Sequence, residues 1–535
     1  MSYPYPKDAG QSSNLWWTTK FVIDMVNTSA NNKRIAKNTL LLYFRMLFMM
    51  VVSLYTSRVV LNTLGVEDYG IYNVVGGVVT MFSFISGAMA SGTQRFLTYE
   101  LGKGNVERLS KVFSTSLIIH ILISVLITLL AETIGLWFLT HKMAIPDNRM
   151  NAAFWVYQFS ILSTIVMIMS VPYNASIIAH ERMSAFAYVS ILEVVLKLLV
   201  VYLLLIGDFD KLKLYALLIF IVQLGIRFIY GAYCKRHFEE ARFKKVWDKK
   251  LFQEMLGFSG WNLWGNCAVI AFTQGLNILL NIFFGPAINA ARGIAVQVQG
   301  AVTQFSTNFQ TALNPQIIKS YASNDLAYMH SLIYKSSKFT FFLLLLLSLP
   351  IILETDTILR IWLHTVPDQT VYFLRLILCI SIVDAMANPF VTSVSATGKI
   401  KLYQGIIGGT LLCILPVSYI VLKYDGKPIS VFIVHLCICL IAFIIRLYIV
   451  RPLINLKVSD YIQQVIYRCL SVGIISIVLP AIMKYNLPDN IYSFFIICSS
   501  CIISVSICVF YIGLDVSERR FMKDRLLKVL KIRKN

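Results

Sequence analysis

Residues 286–315 read PAINAARGIAVQVQGAVTQFSTNFQTALNP. The stretch is long and apolar enough to enter a membrane, yet it holds Arg292 and a run of amides and hydroxyls. Asn289, Arg292, Gln299, Thr303, Ser306 and Gln310 recur at the three-and-four spacing of one helical face, so a polar stripe runs nearly from end to end. Such a stripe lines water, a solute, or another polar helix. An arginine at bilayer depth costs a few kcal/mol or more and is read first as part of a functional site. The alternative is a helix contact sealed by amide hydrogen bonds.

The rest of the chain supplies the membrane context. Of 535 residues 57% are hydrophobic and 14% charged, and the mean hydropathy is +0.70. An ordinary soluble globule is excluded. Apolar runs of about twenty residues between polar breaks predict about fourteen transmembrane helices, and none alternates with period two, which excludes a barrel. The net charge of +21 is concentrated in alternate connectors, above all Lys235 to Lys250 and Arg519 to Lys534. The positive-inside rule then puts both termini in the cytoplasm of a multi-pass inner-membrane protein, and surface anchoring explains the basic clusters without nucleic acid. The expected organisation is a polar segment at 1–37, a first lobe of six helices at 38–234, a basic linker at 235–250, a second lobe at 251–450, two further helices within 465–513, and a basic tail at 514–535. Leu15, Trp16, Trp17 and Phe21 suit an interfacial helix in the first segment. The ten cysteines lie mostly inside helices and read as apolar packing. No cofactor or metal set stands out.

The two lobes echo each other. Leu61-Asn62 is followed by Gly65, a helix rich in small residues, then Gln94 and Tyr99; Leu280-Asn281 is followed by Gly285, the polar helix, then Gln316 and Tyr321. An even number of helices per repeat relates the halves by an axis along the membrane normal. Helices one, two, seven and eight, the polar set, would face each other across it, leaving a cavity with Arg45 and Arg292 among its cations. Glu193 and Lys197 sit four apart on the fifth helix, as a structural salt bridge or an ion-coupling pair. Asp384, deep in the tenth, would pair with a cavity arginine, hold a proton, or satisfy backbone freed by Pro389.

Several motifs resemble the polysaccharide repeat-unit flippases (Wzx type) of the multidrug/oligosaccharidyl-lipid/polysaccharide exporter superfamily. They are Leu64-Gly65 through Asp68-Tyr69-Gly70-Ile71-Tyr72, Gln94-Arg95-Phe96 after helix two, Glu181-Arg182-Met183 after helix four, Asn314-Pro315 after helix eight, and Ala396-Thr397-Gly398-Lys399 after helix ten. The resemblance spans roughly residues 38 to 450. It implies alternating access that carries an undecaprenyl-diphosphate-linked oligosaccharide across the membrane, with no bond made or broken. By helix position Arg45 and Arg292 would take the headgroup, and Asn277, Gln299, Thr303 and Gln310 would meet sugar hydroxyls. Na+ or H+ as a coupling ion and a glycan polymerase stand as candidate partners that no motif in the chain specifies. The first helix lacks the carboxylate of cation-exporting multidrug relatives, which weighs against the alternative of a multidrug antiporter. A membrane enzyme of glycan assembly would need a large outer loop with a catalytic set, and the outer connectors are short.

Overall fold

The computed structural model describes residues 9–80, 83–143, 145–204, 206, 209–244, 248–363, 366–488, 490–520 and 522–523, with backbone alone up to residue 30 and at a few positions in the first two helices. Leu15 to Phe21 and most of the basic tail therefore lie outside the described side chains. Every regular element among the described residues is helical.

Helix α1 spans Arg34–Gly65 within a helical run beginning at Ala9. After residues 66–80 come α2 (Ser83–Lys103), α3 (Val106–His141), α4 (Asp147–Ala179), α5 (Met183–Leu203), α6 (Lys211–His237) and α7 (Lys249–Phe284). The polar helix is α8 (Pro286–Ala322). Then follow α9 (Leu326–Leu353), α10 (Thr370–Thr397), α11 (Ile400–Lys423), α12 (Ser430–Ile454), α13 (Val458–Asn486) and α14 (Ile491–Gly513). Twelve of the fourteen are long and apolar enough to cross a membrane. The two outside that set, α2 and α8, occupy equivalent positions in the repeat.

That repeat is visible in the backbone. Gly65 (φ 82°, ψ 168°) and Gly285 (φ 81°, ψ −177°) break the chain with the same left-handed geometry. A Cβ at either would meet nothing within 4 Å, so the conformation, not space, demands glycine. Within the first lobe α1 packs on α5, α2 on α4, and α4 on α6; within the second, α7 packs on α11, α8 on α10, and α10 on α12. Each pair maps onto its counterpart six helices later. Between lobes α2 meets both α7 and α8, and α1 meets α8, so the pseudo-two-fold axis passes between α2 and α8.

Sequence hydropathy put Gln94, Arg95 and Gln316 beyond the ends of their helices, but α2 and α8 continue helically to Lys103 and Ala322. Hydropathy marks the part of a helix that faces lipid, and these ends are shielded by each other. At the opposite end of the first lobe, Asp68 accepts from Arg149 Nε and Nη2 at 2.8 and 2.5 Å, and Asp210 accepts from its Nη1 at 3.0 Å. Burial would raise the Asp210 carboxyl, but Arg149 and the Leu212 and Lys213 amides more than reverse it, leaving it below its usual range. Asp68 of the first motif is thus half of a clamp joining the helical segment after Gly65 to α4 and α6.

Helices α13 and α14 pack on α9. Buried Lys338 of α9 pairs with Glu518 at 2.8 Å and Asp515 at 3.4 Å, and Lys484 of α13 pairs with Glu354 at 3.1 Å. They form an annex on the second lobe.

Candidate functional site

A cavity of about 630 Å³ lies between the first lobe and α8. Arg45, Ser53 and Thr56 line it from α1, Lys197 from α5, Gln304 and Phe305 from α8, and Tyr72 and Asn73 from the segment after Gly65. No carboxylate is among its lining residues. The Arg45 guanidinium lies 4.5 Å from the centroid of the Phe186 ring, and its Nη2 reaches Asn308 Oδ1 only at 3.5 Å. Its Nε is buried without a hydrogen-bond partner. Lys197 donates to Glu193 at 2.6 Å, so the expected pair forms, with the lysine at the cavity wall. Arg45 has no acidic partner among the described ion pairs. A half-buried cation with an unfilled donor favours an anion.

The polar stripe of α8 divides between two neighbours. Gln304 turns to the cavity, while Gln299 donates to Ser381 Oγ at 2.8 Å, Gln310 donates to the Ala385 carbonyl at 3.1 Å and accepts from Asn388 at 3.0 Å, and Asn314 accepts from Thr392 at 3.0 Å. These bonds join α8 to α10 inside the second lobe. Thr303 donates to the Gln299 carbonyl of its own helix. Arg292 is buried and donates to Asn277 Oδ1 and, at 3.0 Å, to the Thr273 carbonyl, both on α7. Of the expected substrate contacts only Arg45 lines the cavity; Arg292, Asn277, Gln299, Thr303 and Gln310 are held in helix contacts in this state.

Asp384 is not a lone carboxylate. Arg446 of α12 reaches it at 3.4 Å and Cys439 Sγ at 3.8 Å. The sequence signal is an opposite charge inside a helix of the same lobe, Arg446 within α12, which helical spacing alone does not match to Asp384.

The motifs of α2, of the α4–α5 turn and of the end of α10 lie at the other end of the crevice, beside the basic connectors. Glu181, buried in the α4–α5 turn at φ 58°, accepts from Gln316 and Lys319 of α8, each at 2.6 Å, and from Arg34 at 2.9 Å. Arg95 of α2 donates to the Ser395 and Ala396 carbonyls at the end of α10, at 2.9 and 3.0 Å. The second helix of each lobe thus grips the fourth-to-fifth turn of the other. Between these grips Tyr99 and Tyr321 bring their rings to 6.4 Å. A Cβ on Gly102 would stand 2.9 Å from Lys319 Cα and 2.8 Å from Ala322 Cβ, so α2 and α8 touch backbone to backbone.

Residues 15–203 match the MatE family model. Members of that family are transporters, not enzymes. Among solved structures, one titled an outward-facing multidrug resistance MATE family transporter of the MOP superfamily shares a TM-score of 0.69 at 14% identity, covering 79% of this chain and 96% of its own. A MOP superfamily transporter from Pyrococcus furiosus, whose title reports reverse polarity of its binding pocket and suggests a different function, gives a TM-score of 0.67 at 14% identity over 81% and 96%. At that identity the likeness is one of fold. No curated protein matches the chain.

Proposed function

We propose that this protein is a flippase that moves an undecaprenyl-diphosphate-linked oligosaccharide repeat unit across the cytoplasmic membrane, for O-antigen or capsular polysaccharide. The observation that carries the reading is the charge of the central cavity: Arg45 without an acidic partner, and no carboxylate in the lining. A diphosphate leaving water needs strong donors that stay protonated, and arginine offers them in a planar fork. The polyprenyl tail would remain in lipid while the headgroup crosses through the crevice. The lobes would rock about the α2–α8 axis between two states of similar energy. With the basic connectors in the cytoplasm, both termini lie there as well and the described state opens outward. Glu193–Lys197 and Asp384–Arg446 are the ion pairs through which Na+ or H+ coupling would act, and a glycan polymerase is the natural acceptor on the outer face.

The fold likeness to multidrug transporters favours a second reading, a cation-coupled multidrug antiporter. One experiment separates the two. In cells lacking the protein, lipid-linked glycan should become resistant to an added membrane-impermeant glycosidase. Wild-type protein restores cleavage, whereas Arg45→Ala at equal protein level lowers it at least about tenfold, or about 1.4 kcal/mol. Normal cleavage without the protein, together with increased sensitivity to cationic dyes, would replace the flippase by the antiporter.

A further inference from the structure

The residues expected to meet sugar are bonded within the second lobe, which leaves open where a glycan would sit. A second cavity, of about 350 Å³, lies inside the first lobe and shares Tyr72 and Asn73 with the cavity that holds Arg45. The two spaces therefore meet at one wall. The second is lined from α4 by Phe159, Ser160, Ser163 and Thr164, from α6 by Gln223, and by Gly76. It contains no charged residue.

The chemistry of its polar atoms is specific. Neither Gln223 nor Ser163 has a side-chain hydrogen bond among the described residues, so a carboxamide with both donors and acceptor and a hydroxyl with both are free. Asn73 donates to the Tyr69 carbonyl at 2.9 Å and keeps its own oxygen as an acceptor. Ser160 and Thr164 donate to the Val156 and Ser160 carbonyls of their own helix at 2.7 and 2.9 Å, leaving oxygen lone pairs toward the space. Free donors and acceptors on half-buried side chains lining one space favour a ligand that supplies both. A cation would find no carboxylate here and an anion no positive charge. The Tyr72 and Phe159 rings add flat apolar faces, and the volume lies within the range of small-ligand pockets.

We infer that this first-lobe bay is a subsite for an uncharged, hydroxyl-rich group, the first sugar of a lipid-linked glycan whose diphosphate sits at Arg45. The inference rests on the flippase reading for the identity of the anion beside it. Sugar hydroxyls both donate and accept, and their ring C–H faces suit the aromatic walls, while Arg45 holds the phosphates across the shared Tyr72–Asn73 wall. The first lobe, not the polar helix of the second, then reads the sugar.

The test uses the full chain in lipid nanodiscs and two probes, a short polyprenyl diphosphate and the same lipid bearing one N-acetylhexosamine. Gln223→Leu should weaken the glycosylated probe about tenfold and leave the sugarless one unchanged, while Arg45→Ala weakens both. Ser163→Leu, which fills the bay from a different helix, should repeat the Gln223→Leu pattern, so a folding defect peculiar to one variant does not decide the matter. If Arg45→Ala weakens both probes but neither bay variant discriminates between them, the subsite is overturned and the flippase reading stands. If Arg45→Ala leaves both unchanged, the anion site fails; bay variants that still select against the sugar would then keep the subsite without its proposed neighbour.

Discussion

The crevice between the lobes has two ends built in opposite ways. Beside the basic connectors it is closed by contacts exchanged across the pseudo-two-fold axis: α8 to the α4–α5 turn through Glu181, and α2 to the end of α10 through Arg95. Toward Gly65 and Gly285 it is hollow, with a cationic cavity and a neutral bay beside it. The closed end is polar and partly charged, and such bonds can be exchanged for water when the lobes part. Apolar packing would not separate as readily in one place while holding elsewhere. The difference implies that the motifs around Arg95, Glu181 and Ala396 maintain a conformational state, while the solute is met at the hollow end, where Tyr72 of the first motif lines both spaces.

The largest expected effect breaks the closed end outright. Gly102→Val drives a branched side chain into the backbone of Lys319, where neither helix can yield locally, and overpacking of this kind costs about 1–3 kcal/mol. The separation of spin labels on the α2–α3 and α8–α9 turns, read by pulsed electron resonance, should shift from one short distance to a longer one. An unchanged distance would mean that the crossing yields elsewhere and is no gate.

Glu181→Gln tests the charge of the same end while keeping the side chain's shape. Gln316 retains a partner, but Lys319 and Arg34 lose a carboxylate, for about 1–2 kcal/mol against the closed state. The same labels should show a mixture of short and long distances. A purely short distance would make the grip one of shape alone.

Much of this architecture was legible in the chain. Fourteen helices followed from hydropathy, and the repeat from Leu-Asn, Gly, Gln and Tyr in order, because the Gly65 and Gly285 break is a backbone requirement that sequence records directly. Arg45 was legible because a cation deep in an apolar helix has few reasons to be there. The fate of Gln299 and Gln310 was not. Helical spacing tells which residues share a face but not which neighbour that face meets, and a stripe bound to α10 reads like one bathed in water. A signal did exist: Ser381, Asn388 and Thr392 form a stripe on α10 that matches the one on α8. The role of Glu181 was hidden for another reason, since its partners lie 135 and 138 residues away in the other lobe.

Arg292 sharpens the contrast within the hollow end. Its bonds to Asn277 and the Thr273 carbonyl join α7 to α8, and interhelical bonds in membranes are worth about 0.6 kcal/mol each on average. Arg292→Ala should therefore lower the unfolding temperature in detergent by an amount matching about 1 kcal/mol, where Arg45→Ala leaves it near wild type and removes transport. Intact stability with abolished export would return Arg292 to the headgroup role.

The smallest effect is the most discriminating for the hollow end. A Cβ at Gly76 would come no closer than 4.0 Å, to Ser160 Oγ, which is ordinary contact. Alanine is also the better helix former, by up to about 1 kcal/mol. Gly76→Ala should thus be neutral or slightly stabilising, in contrast to Gly102→Val. The added methyl does, however, enter the neutral bay, so affinity for a glycosylated lipid diphosphate should fall by about two- to threefold, roughly the 0.5 kcal/mol of a polar contact weakened but not lost. A gain in thermal stability combined with a loss in glycan affinity would mark a position whose glycine is kept for the ligand. Gain without loss would assign the glycine to movement of the helix between states.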